Sequence, residues 1–385
     1  MIQMMTAFTE EVDEVEDGLA EILGQIDLGA LKKNSVGLVT CHSDFANTAF
    51  LGALCGKLPF DIIGMTTMAS ANQYGQSMYA LSLTVLTSDD VVFVTSQTGP
   101  LGLNDYREKI EAGYKDAAEK LNNQPSLIFS FFPFIKELSG APIHKCFDEI
   151  CKGIPFWGSV ATNIDVSYDR CYTFRNDNID KDSLVMLLMC GNVEPEFIAI
   201  SMPGKNISKT RGRITSSDGC LLRGINGIAP MKYLESLGVI VMKDASITTP
   251  LMVYYEGSTE PVALTVYNVY DDGSLLCGGE MTEGASVAVG EITTESILGS
   301  AGEGMDRLIK TGKHNCALML PCVSRYVMLA PNRSDELKLI AGKLENGRLM
   351  SYMAGYAGGE ICPVRDETGV LRNRFHNFSF TVCLL

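Results

Sequence analysis

The stretch MSYMAGYAGGEICPVRDETGVLRNRFHNFSFTVCLL, residues 350–385, decides the fold prediction. Its pattern predicts a strand, a glycine-rich turn that carries Glu360, a polar excursion, and a second strand opened by His376 and Asn377. Residues 378–385 are almost wholly apolar, which is typical of a strand buried on both faces. Polar side chains therefore lie between two core strands. Because buried polar groups cost free energy unless they are paired, these side chains hold either the fold or a ligand.

The same kind of unit occurs twice earlier in the chain in a weaker form. Residues 34–96 contain a strand, a helix, a proline-containing strand, a glycine turn and two more strands, and residues 126–201 repeat that order. Gly64 and Gly158 stand at matching positions. Such a series indicates internal duplication, and it predicts that the two segments superpose strand for strand. The last part of the chain has the same order a third time.

These patterns predict an α/β (or α+β) protein with two halves, in which repeated strand–helix–strand units form mixed or antiparallel sheets covered by helices. Apolar residues at helical spacing over residues 9–26 predict an amphipathic helix, so residues 1–33 form a helical N-terminal segment. Residues 34–225 then form the first domain and residues 226–385 the second. Residues 204–219 are polar and lack a clear period, which indicates a solvated connection or an exposed hairpin.

Composition narrows the classes of partner and compartment. The formal net charge of −15 disfavours nucleic acid and anionic membranes as partners, and the 46% hydrophobic content argues against disorder. No apolar run has the length of a membrane span, and the N-terminal residues lack the features of a signal peptide. The 12 cysteines include no CxxC pair, which is typical of free thiols in the cytoplasm.

The usual motifs of enzymes are missing from the sequence. It has no G-x-x-x-x-G-K-[ST] loop, no G-x-S-x-G elbow and no H-E-x-x-H pair, so we expect no cofactor and no metal. Cys41 and His42 are adjacent at a strand end, but neighbouring residues of a strand point to opposite faces. We therefore predict that the protein is not an enzyme, with a Cys-dependent enzyme that uses Cys41 or Cys322 as a weaker alternative.

Three polar residues are candidates for binding a ligand. Arg325 follows a buried strand, where its planar guanidinium could grip a carboxylate with two hydrogen bonds. Glu360 lies in a turn whose glycines admit a ligand close to the backbone, and Asn377 offers both a donor and an acceptor. The alternative is that Arg325, Glu360 and His376 pair with one another and hold the repeat together. Tyr356 fits a core position and a pocket wall equally well.

Several of these motifs resemble the FIST family, a sensory domain with an N-terminal and a C-terminal half. The resemblance covers about residues 34–365 and slightly beyond. It lies in the following residues: Gly64, Gly158-Ser159, Glu283-Gly284, Cys322-x-x-Arg325, Gly355, Tyr356, Gly359-Glu360-Ile361, Pro363 and His376-Asn377. The turns after Gly64 and Gly158 depart from the family because they lack its Gly-Glu pair. Where acidic contacts at those turns matter in relatives, they are missing here.

The resemblance implies a cytoplasmic signal-transduction module that senses a small molecule such as an amino acid. With this resemblance beside the chemistry of the residues, we predict ligand contacts at Arg325, Glu360, Tyr356, His376, Asn377 and Cys322. FIST domains are often joined to, or encoded beside, histidine kinases, diguanylate cyclases or chemoreceptor components. The sequence resembles no such output domain and no F-box, so we expect a separate signalling partner. A scaffold whose acidic surface docks a basic partner is the main alternative.

Overall fold

The structure is a computed structural model that describes residues 1–135, 138, 140–164, 169–241, 249–258, 260–312, 314–347 and 351–385. Met350, the first residue of the stretch quoted above, lies outside the described residues. The helices are α1 (Val15–Gln25), α2 (Thr48–Lys57), α3 (Tyr106–Ala118), α4 (Gly140–Cys151), α5 (Pro230–Ser236), α6 (Thr294–Thr311), α7 (Val323–Met328) and α8 (Asp335–Gly347).

Local sequence signals set the ends of the longest helix, α6. The Thr293 hydroxyl accepts the Ser296 N–H at 3.1 Å, and the Ser296 hydroxyl accepts the Thr293 N–H at 2.8 Å. This reciprocal pair satisfies two donors that the first turn of a helix leaves without partners. Gly312 ends the helix with φ of 61°, a left-handed conformation that glycine adopts without steric cost.

Within the described ranges, most strands form three six-stranded sheets. In spatial order, sheet 1 contains β1 (Gln3–Thr9), β6 (Leu81–Ser88), β2 (Asn34–Cys41), β3 (Ile62–Thr66), β10 (Thr173–Arg175) and β11 (Asn178–Asp180). Sheet 2 contains β7 (Val92–Gln97), β12 (Val185–Cys190), β8 (Leu127–Phe132), β9 (Phe156–Val160), β22 (Glu360–Arg365) and β23 (Leu371–His376). Sheet 3 contains β13 (Glu196–Ile200), β24 (Phe380–Leu384), β20 (Cys316–Pro321), β21 (Ser351–Gly355), β4 (Ser70–Asn72) and β5 (Gly75–Ser77).

The three sheets share one plan. Each has a parallel pair at its centre (β2 with β3, β8 with β9, β20 with β21), and an antiparallel strand flanks that pair. Each also receives a hairpin from another unit. The hairpin β4–β5 joins sheet 3, β10–β11 joins sheet 1, and β22–β23 joins sheet 2. The units therefore exchange hairpins in a cycle, and strands from both halves of the sequence lie in the same sheets.

The predicted match of Gly64 and Gly158 is present in the strand register. Gly64 lies opposite Val39 in the first parallel pair, and Gly158 lies opposite Ser130 in the second. A Cβ atom on Gly64 would lie 2.8 Å from the Val39 carbonyl oxygen, and one on Gly158 would lie 1.8 Å from that of Ser130. Both positions therefore require glycine. The segments 34–96 and 126–201 have the predicted strand order.

One core lies between the sheets, and helices cover their outer faces. The inward-facing core residues include Leu38, Met65, Phe129, Trp157, Leu318 and Met353. Helices α1 and α2 pack on sheet 1, α3 and α4 on sheet 2, and α6 and α8 on sheet 3. Buried apolar area is the main favourable term in folding, so this shared core explains why the hairpins can be exchanged among the sheets.

A closed barrel lies in sequence between β13 and α6. Its strands, in spatial order, are β14 (Gly212–Asp218), β15 (Leu221–Ile225), β18 (Leu275–Cys277), β17 (Val262–Val269), β16 (Pro250–Tyr254) and β19 (Ser286–Val289). Its interior is a separate core that includes Ile214, Leu222, Leu251, Val253, Leu264 and Val287. Helix α5 packs against it through Tyr233 and Leu234.

The structure corrects one sequence prediction and decides between the two alternatives of another. The helix predicted over residues 9–26 is the shorter α1, and residues 3–9 form β1 because they pair antiparallel with β6. Of the two alternatives for residues 204–219, a solvated connection or an exposed hairpin, the structure favours the hairpin, because β14 pairs antiparallel with β15. In β14, Gly212 and Ile214 are buried and Arg213 is exposed. Strands on both sides of residues 225 and 226 belong to the one barrel, because β15 pairs with β18.

Candidate functional site

Arg325 lies on α7 and is fully buried. Its Nε donates to Glu336 Oε1 at 2.9 Å, and its Nη2 donates to the same oxygen. The remaining guanidinium donors bond, at 2.8 to 3.1 Å, to the carbonyl oxygens of Ser201, Phe378 and Ile297 and the hydroxyl of Ser300. Each nitrogen of the guanidinium is therefore engaged inside the protein.

Glu336 and Tyr356 complete this network. The Tyr356 hydroxyl donates to Glu336 Oε2 at 2.7 Å, and all three side chains are buried. Burial, together with the nearby Glu336 carboxylate, raises the pKa of Tyr356 well above its ordinary value. The sequence predicted that Arg325 pairs with Glu360 or faces a ligand beside it. In the structure, the partner of Arg325 is instead Glu336, which lies on α8. Arg325 and Tyr356 both use their polar groups for hydrogen bonds inside the protein.

Glu360 and Cys322 form a second buried pair. Burial, together with the nearby Glu360 carboxyl group, raises the pKa of the Cys322 thiol well above its ordinary value, and the Glu360 side chain is itself fully buried. Its Oε2 also accepts the Ser379 N–H at 3.4 Å, while its Oε1 has no hydrogen-bond partner among the described residues. Burial raises the pKa of Glu360 well above its ordinary value, so this carboxyl group stays neutral more readily than an exposed one.

His376 and Asn377 hold backbone elements together at separate points. His376 Nε2 lies 3.0 Å from the Cys362 carbonyl oxygen, and burial lowers the pKa of this histidine to about 4. Asn377 docks the barrel, because its N–H donates to Ala263 O at 2.8 Å and its Oδ1 accepts the Thr265 N–H at 3.1 Å.

The residue after Asn377 completes that anchor. Phe378 has φ of 56°, which few residues other than glycine adopt, and its ring is buried with barrel residues such as Met252 and Ala263. The backbone here accepts an unfavourable conformation in order to place an aromatic ring against the barrel. All six sequence-predicted residues are therefore buried, with Arg325 and Tyr356 in one network, Glu360 and Cys322 in a second group, and His376 and Asn377 at separate points. Their role in binding stays a prediction.

An open cleft lies between α4, β23 and the barrel. It has a volume of about 530 Å³, and we call it the charged cleft. Its charged or polar lining residues include Arg107, His144, Lys145, Glu256, Glu280 and Arg374. Helix α4 presents His144 and Lys145 to the cleft because its apolar face, with Ile143 and Phe147, is buried against sheet 2.

Two nitrogen atoms in the charged cleft have no hydrogen-bond partner in the described part of the chain. They are Arg374 Nε and His144 Nε2, and both atoms are buried. Burial, with smaller effects from the positive charges of Arg374 and His376, lowers the pKa of His144 to about 3, so its ring is neutral at neutral pH. Buried polar atoms usually have partners, so two unsatisfied nitrogens in one cleft indicate a place for a ligand acceptor such as a carboxylate oxygen.

Opposite charges and an aromatic ring connect the two walls of this cleft. Lys145 Nζ on α4 lies 2.8 Å from Glu280 Oε1 on the barrel side. The Arg374 guanidinium lies over the Tyr255 ring, 4.6 Å from its centroid, and the Tyr255 hydroxyl donates to Glu280 O at 2.7 Å. The cleft thus presents both cations and anions, as recognition of an ammonium and a carboxylate requires.

A second cleft adjoins the first. It has a volume of about 540 Å³ and a mainly apolar lining that includes Phe134, Ile135, Leu138, Val160, Tyr267 and Leu276. We call it the apolar cleft. Four residues line both clefts: Pro142, Gly219, Cys220 and Phe375. The two clefts therefore meet along a shared wall at the turn between β14 and β15.

Sequence reasoning missed the cleft residues. Arg374 and Phe375 lie within the stretch quoted first, yet Arg374 is not among the residues predicted to bind a ligand. The alternation of side chains along β23 was the available signal, because it puts Arg374 on the opposite face of the strand from buried Asn373. His144 and Lys145 fall in the helix of the second repeat, and nothing in the sequence distinguishes them as site residues. No local pattern could join α4 to Tyr255 and Glu280, because hairpin exchange and barrel docking create that neighbourhood.

The fold and site together define a mixed α/β protein with repeated units and an open cleft that charged residues line. The FIST N domain model matches residues 35–228, and the FIST C domain model matches residues 231–363. The chain belongs to the FIST family, whose domains are recognised as sensory domains of signal transduction. The resemblance proposed from the sequence is confirmed.

Comparisons with curated proteins and with solved structures give no further information about function. No curated protein matches the sequence. A cyanuric acid hydrolase structure, described as an evolutionary innovation by structural concatenation, is 8% identical, with 76% of this chain and 99% of that one covered and a TM-score of 0.28. A cyanuric acid hydrolase from A. caulinodans is 10% identical, with coverages of 67% and 81% and a TM-score of 0.29. Likenesses this low carry no argument about function.

No group of three or more His, Cys, Asp or Glu residues in the described ranges is arranged to hold a metal ion. None of the helices in the described part of the chain combines the length and apolar content that crossing a membrane requires.

Proposed function

We propose that this chain is a cytoplasmic sensor module that binds an amino-acid-like carboxylate in the charged cleft and signals through a separate protein. The observation that carries the proposal is the pair of buried, unsatisfied nitrogens, Arg374 Nε and His144 Nε2, in a cleft that also holds Lys145 and Glu280. A ligand carboxylate would satisfy both nitrogens, and the cleft carboxylates would face an ammonium group.

The position of the cleft suits signalling. Its walls belong to sheet 2 with α4 on one side and to the barrel on the other, and the Lys145–Glu280 ion pair bridges them. A ligand that replaces contacts across the cleft would change how strongly the barrel is held against α4. Ligands shift a conformational equilibrium by their differential affinity for the two states, so binding here would be coupled to barrel position. A histidine kinase, a diguanylate cyclase or a chemoreceptor component would be a suitable partner.

In this proposal, the buried network around Arg325 has a structural role.

Cys322 and Cys41 are buried thiols. Burial raises the pKa of each above its ordinary value, which disfavours the reactive thiolate. A Cys-dependent enzyme is therefore the weaker hypothesis. A scaffold whose acidic surface docks a basic partner needs no occupied cleft, and the test below separates it from a sensor.

The test is a thermal-shift screen of amino acids and small organic carboxylates on three proteins: wild type, Arg374→Gln and Arg372→Gln. A ligand at about 100 times its Kd adds about 2.7 kcal/mol of stability, which raises Tm measurably. Charge-assisted hydrogen bonds contribute about 1.5–3 kcal/mol. We therefore expect Arg374→Gln to weaken binding by about 10- to 100-fold.

Arg372 is the matched control. It lies two residues away on β23, it pairs with Asp366 at 3.0 Å, and it does not line the charged cleft. Arg372→Gln should leave the Tm response to ligand unchanged. If no compound in the screen raises Tm, the sensor proposal fails and the scaffold is favoured. An equal loss of response in both variants would move the binding site away from the charged cleft.

A further inference from the structure

The charged cleft and the apolar cleft share a wall. Pro142 at the start of α4, Phe375 on β23 and the Gly219-Cys220 turn line both of them. A molecule bound by Arg374 and His144 therefore lies beside the opening of the apolar cleft.

The apolar cleft is larger than the short side chain of a small α-amino acid would fill. At about 540 Å³ it has the volume of a pocket for a drug-sized molecule. Its lining is chiefly aliphatic and aromatic, with Leu138, Val160 and Leu276 among the apolar residues. Apolar surface gains free energy when it leaves water, so such a cleft favours an aliphatic or aromatic group.

We infer that the two clefts hold one ligand, an amphipathic amino-acid-like carboxylate whose head lies in the charged cleft and whose apolar tail of about six carbons or more fills the apolar cleft. This inference rests on the proposed function, since it assumes a carboxylate head at Arg374. It adds the class of ligand: the tail, rather than the head, supplies most of the affinity and the selectivity among amino acids.

The experiment is isothermal titration calorimetry with alanine, norleucine and 2-aminooctanoate. These three share one head group, and the last has five more methylenes than the first. Each buried methylene tightens binding by about fourfold, so even partial burial predicts at least about a hundredfold gain from alanine to 2-aminooctanoate. We expect Leu276→Asp to remove this gain and to leave the affinity for alanine unchanged, because Leu276 lines only the apolar cleft.

A second variant protects the test against a folding defect. Tyr267 also lines only the apolar cleft and is 39% exposed, so Tyr267→Ser is compatible with the fold. It should reduce the gain from the tail by about tenfold. If alanine binds and longer tails bind no more tightly, the inference is overturned while the proposed function stands. A tail gain that survives in both variants also overturns it. If none of the three compounds binds, the inference is overturned, and the thermal-shift screen alone decides the proposed function.

Discussion

At the scale of single residues, two arginines of the second half of the chain differ in whether their buried nitrogens have hydrogen-bond partners. Arg325 is saturated by Glu336 and backbone carbonyls, whereas Arg374 leaves one buried nitrogen without a partner in the described part of the chain. The sequence could identify the residue types. It could not predict the partners, because Glu336 reaches Arg325 only through the packing of α8 against α6.

Arg325→Ala is expected to destabilise the fold strongly. Removing one partner of a buried ion pair strands the other charge and costs about 3–5 kcal/mol. Urea denaturation of the ligand-free protein measures this loss. The matched control is Arg307→Ala, since Arg307 pairs with Glu303 at 2.8 Å in an exposed setting, where such pairs are worth about 0–1 kcal/mol. A loss below about 1 kcal/mol for Arg325→Ala, with an altered ligand response, would restore its predicted binding role.

His376 should make stability sensitive to acid. Its folded pKa is about 4, below the ordinary 6.5, so the unfolded chain binds the proton first as pH falls. Its contribution is complete above the unfolded pKa and is lost as pH falls from about 6.5 to about 4. Each pKa unit corresponds to about 1.4 kcal/mol, so about 2 kcal/mol is lost at pH 5.

Urea denaturation of wild type and His376→Gln at pH 7 and pH 5 isolates this effect. Glutamine can still donate to the Cys362 carbonyl but does not titrate in this range. The stability advantage of wild type over the variant should shrink by about 2 kcal/mol between the two pH values. An advantage that is constant with pH would show that His376 is not held neutral by burial.

At the scale of elements, the repeat is the feature that the sequence predicted best. Gly64 and Gly158 mark equivalent points because each is the third residue of the second strand of a parallel pair and both lack room for a side chain. The exchange of hairpins could not be predicted from the sequence, because the turns after the two glycines do not specify which sheet the next hairpin joins. The sequence did not predict β14 as a strand, because its exposed residues Arg213 and Thr215 are polar and polar residues are also typical of a solvated connection.

Gly158→Ala should destabilise the protein far more than an alanine at an open glycine. Its Cβ would meet the Ser130 carbonyl oxygen, and overpacking of this kind typically costs about 1–3 kcal/mol or more because the strand pair must separate. The control is Gly302→Ala in α6, where nothing lies within 4 Å of the added Cβ. That change should stabilise the helix by up to about 1 kcal/mol. Equal Tm values for the two variants would contradict the register given for β8 and β9.

At the scale of the whole molecule, three sheets share one core and a barrel docks against them through Asn377 and Phe378. The cleft with unsatisfied nitrogens lies where the barrel meets sheet 2. The family and the α/β class followed from the sequence because short motifs and strand order carry them. The cleft did not, because its walls come from residues as far apart as Arg107 and Arg374.

The central claim is that a ligand binds where the barrel meets α4, and alkylation of Cys220 tests it most directly. Cys220 lines both clefts and is half-buried, while Cys55 on α2 is also half-buried and lies in neither cleft. Burial and the nearby Asp177 and Asp61 carboxylates raise the pKa of Cys55 to about 11, which slows its alkylation. The labelling rate of each thiol is therefore compared with its own rate in the absence of ligand.

The measurement is the rate of iodoacetamide labelling at each cysteine by peptide mass spectrometry, with the carboxylate that raises Tm most added at about 100 times its Kd. At that concentration about 99% of the protein is bound. We expect labelling of Cys220 to slow at least about tenfold and that of Cys55 to stay unchanged. Unchanged labelling of Cys220 by a compound that binds and stabilises the protein would contradict the account.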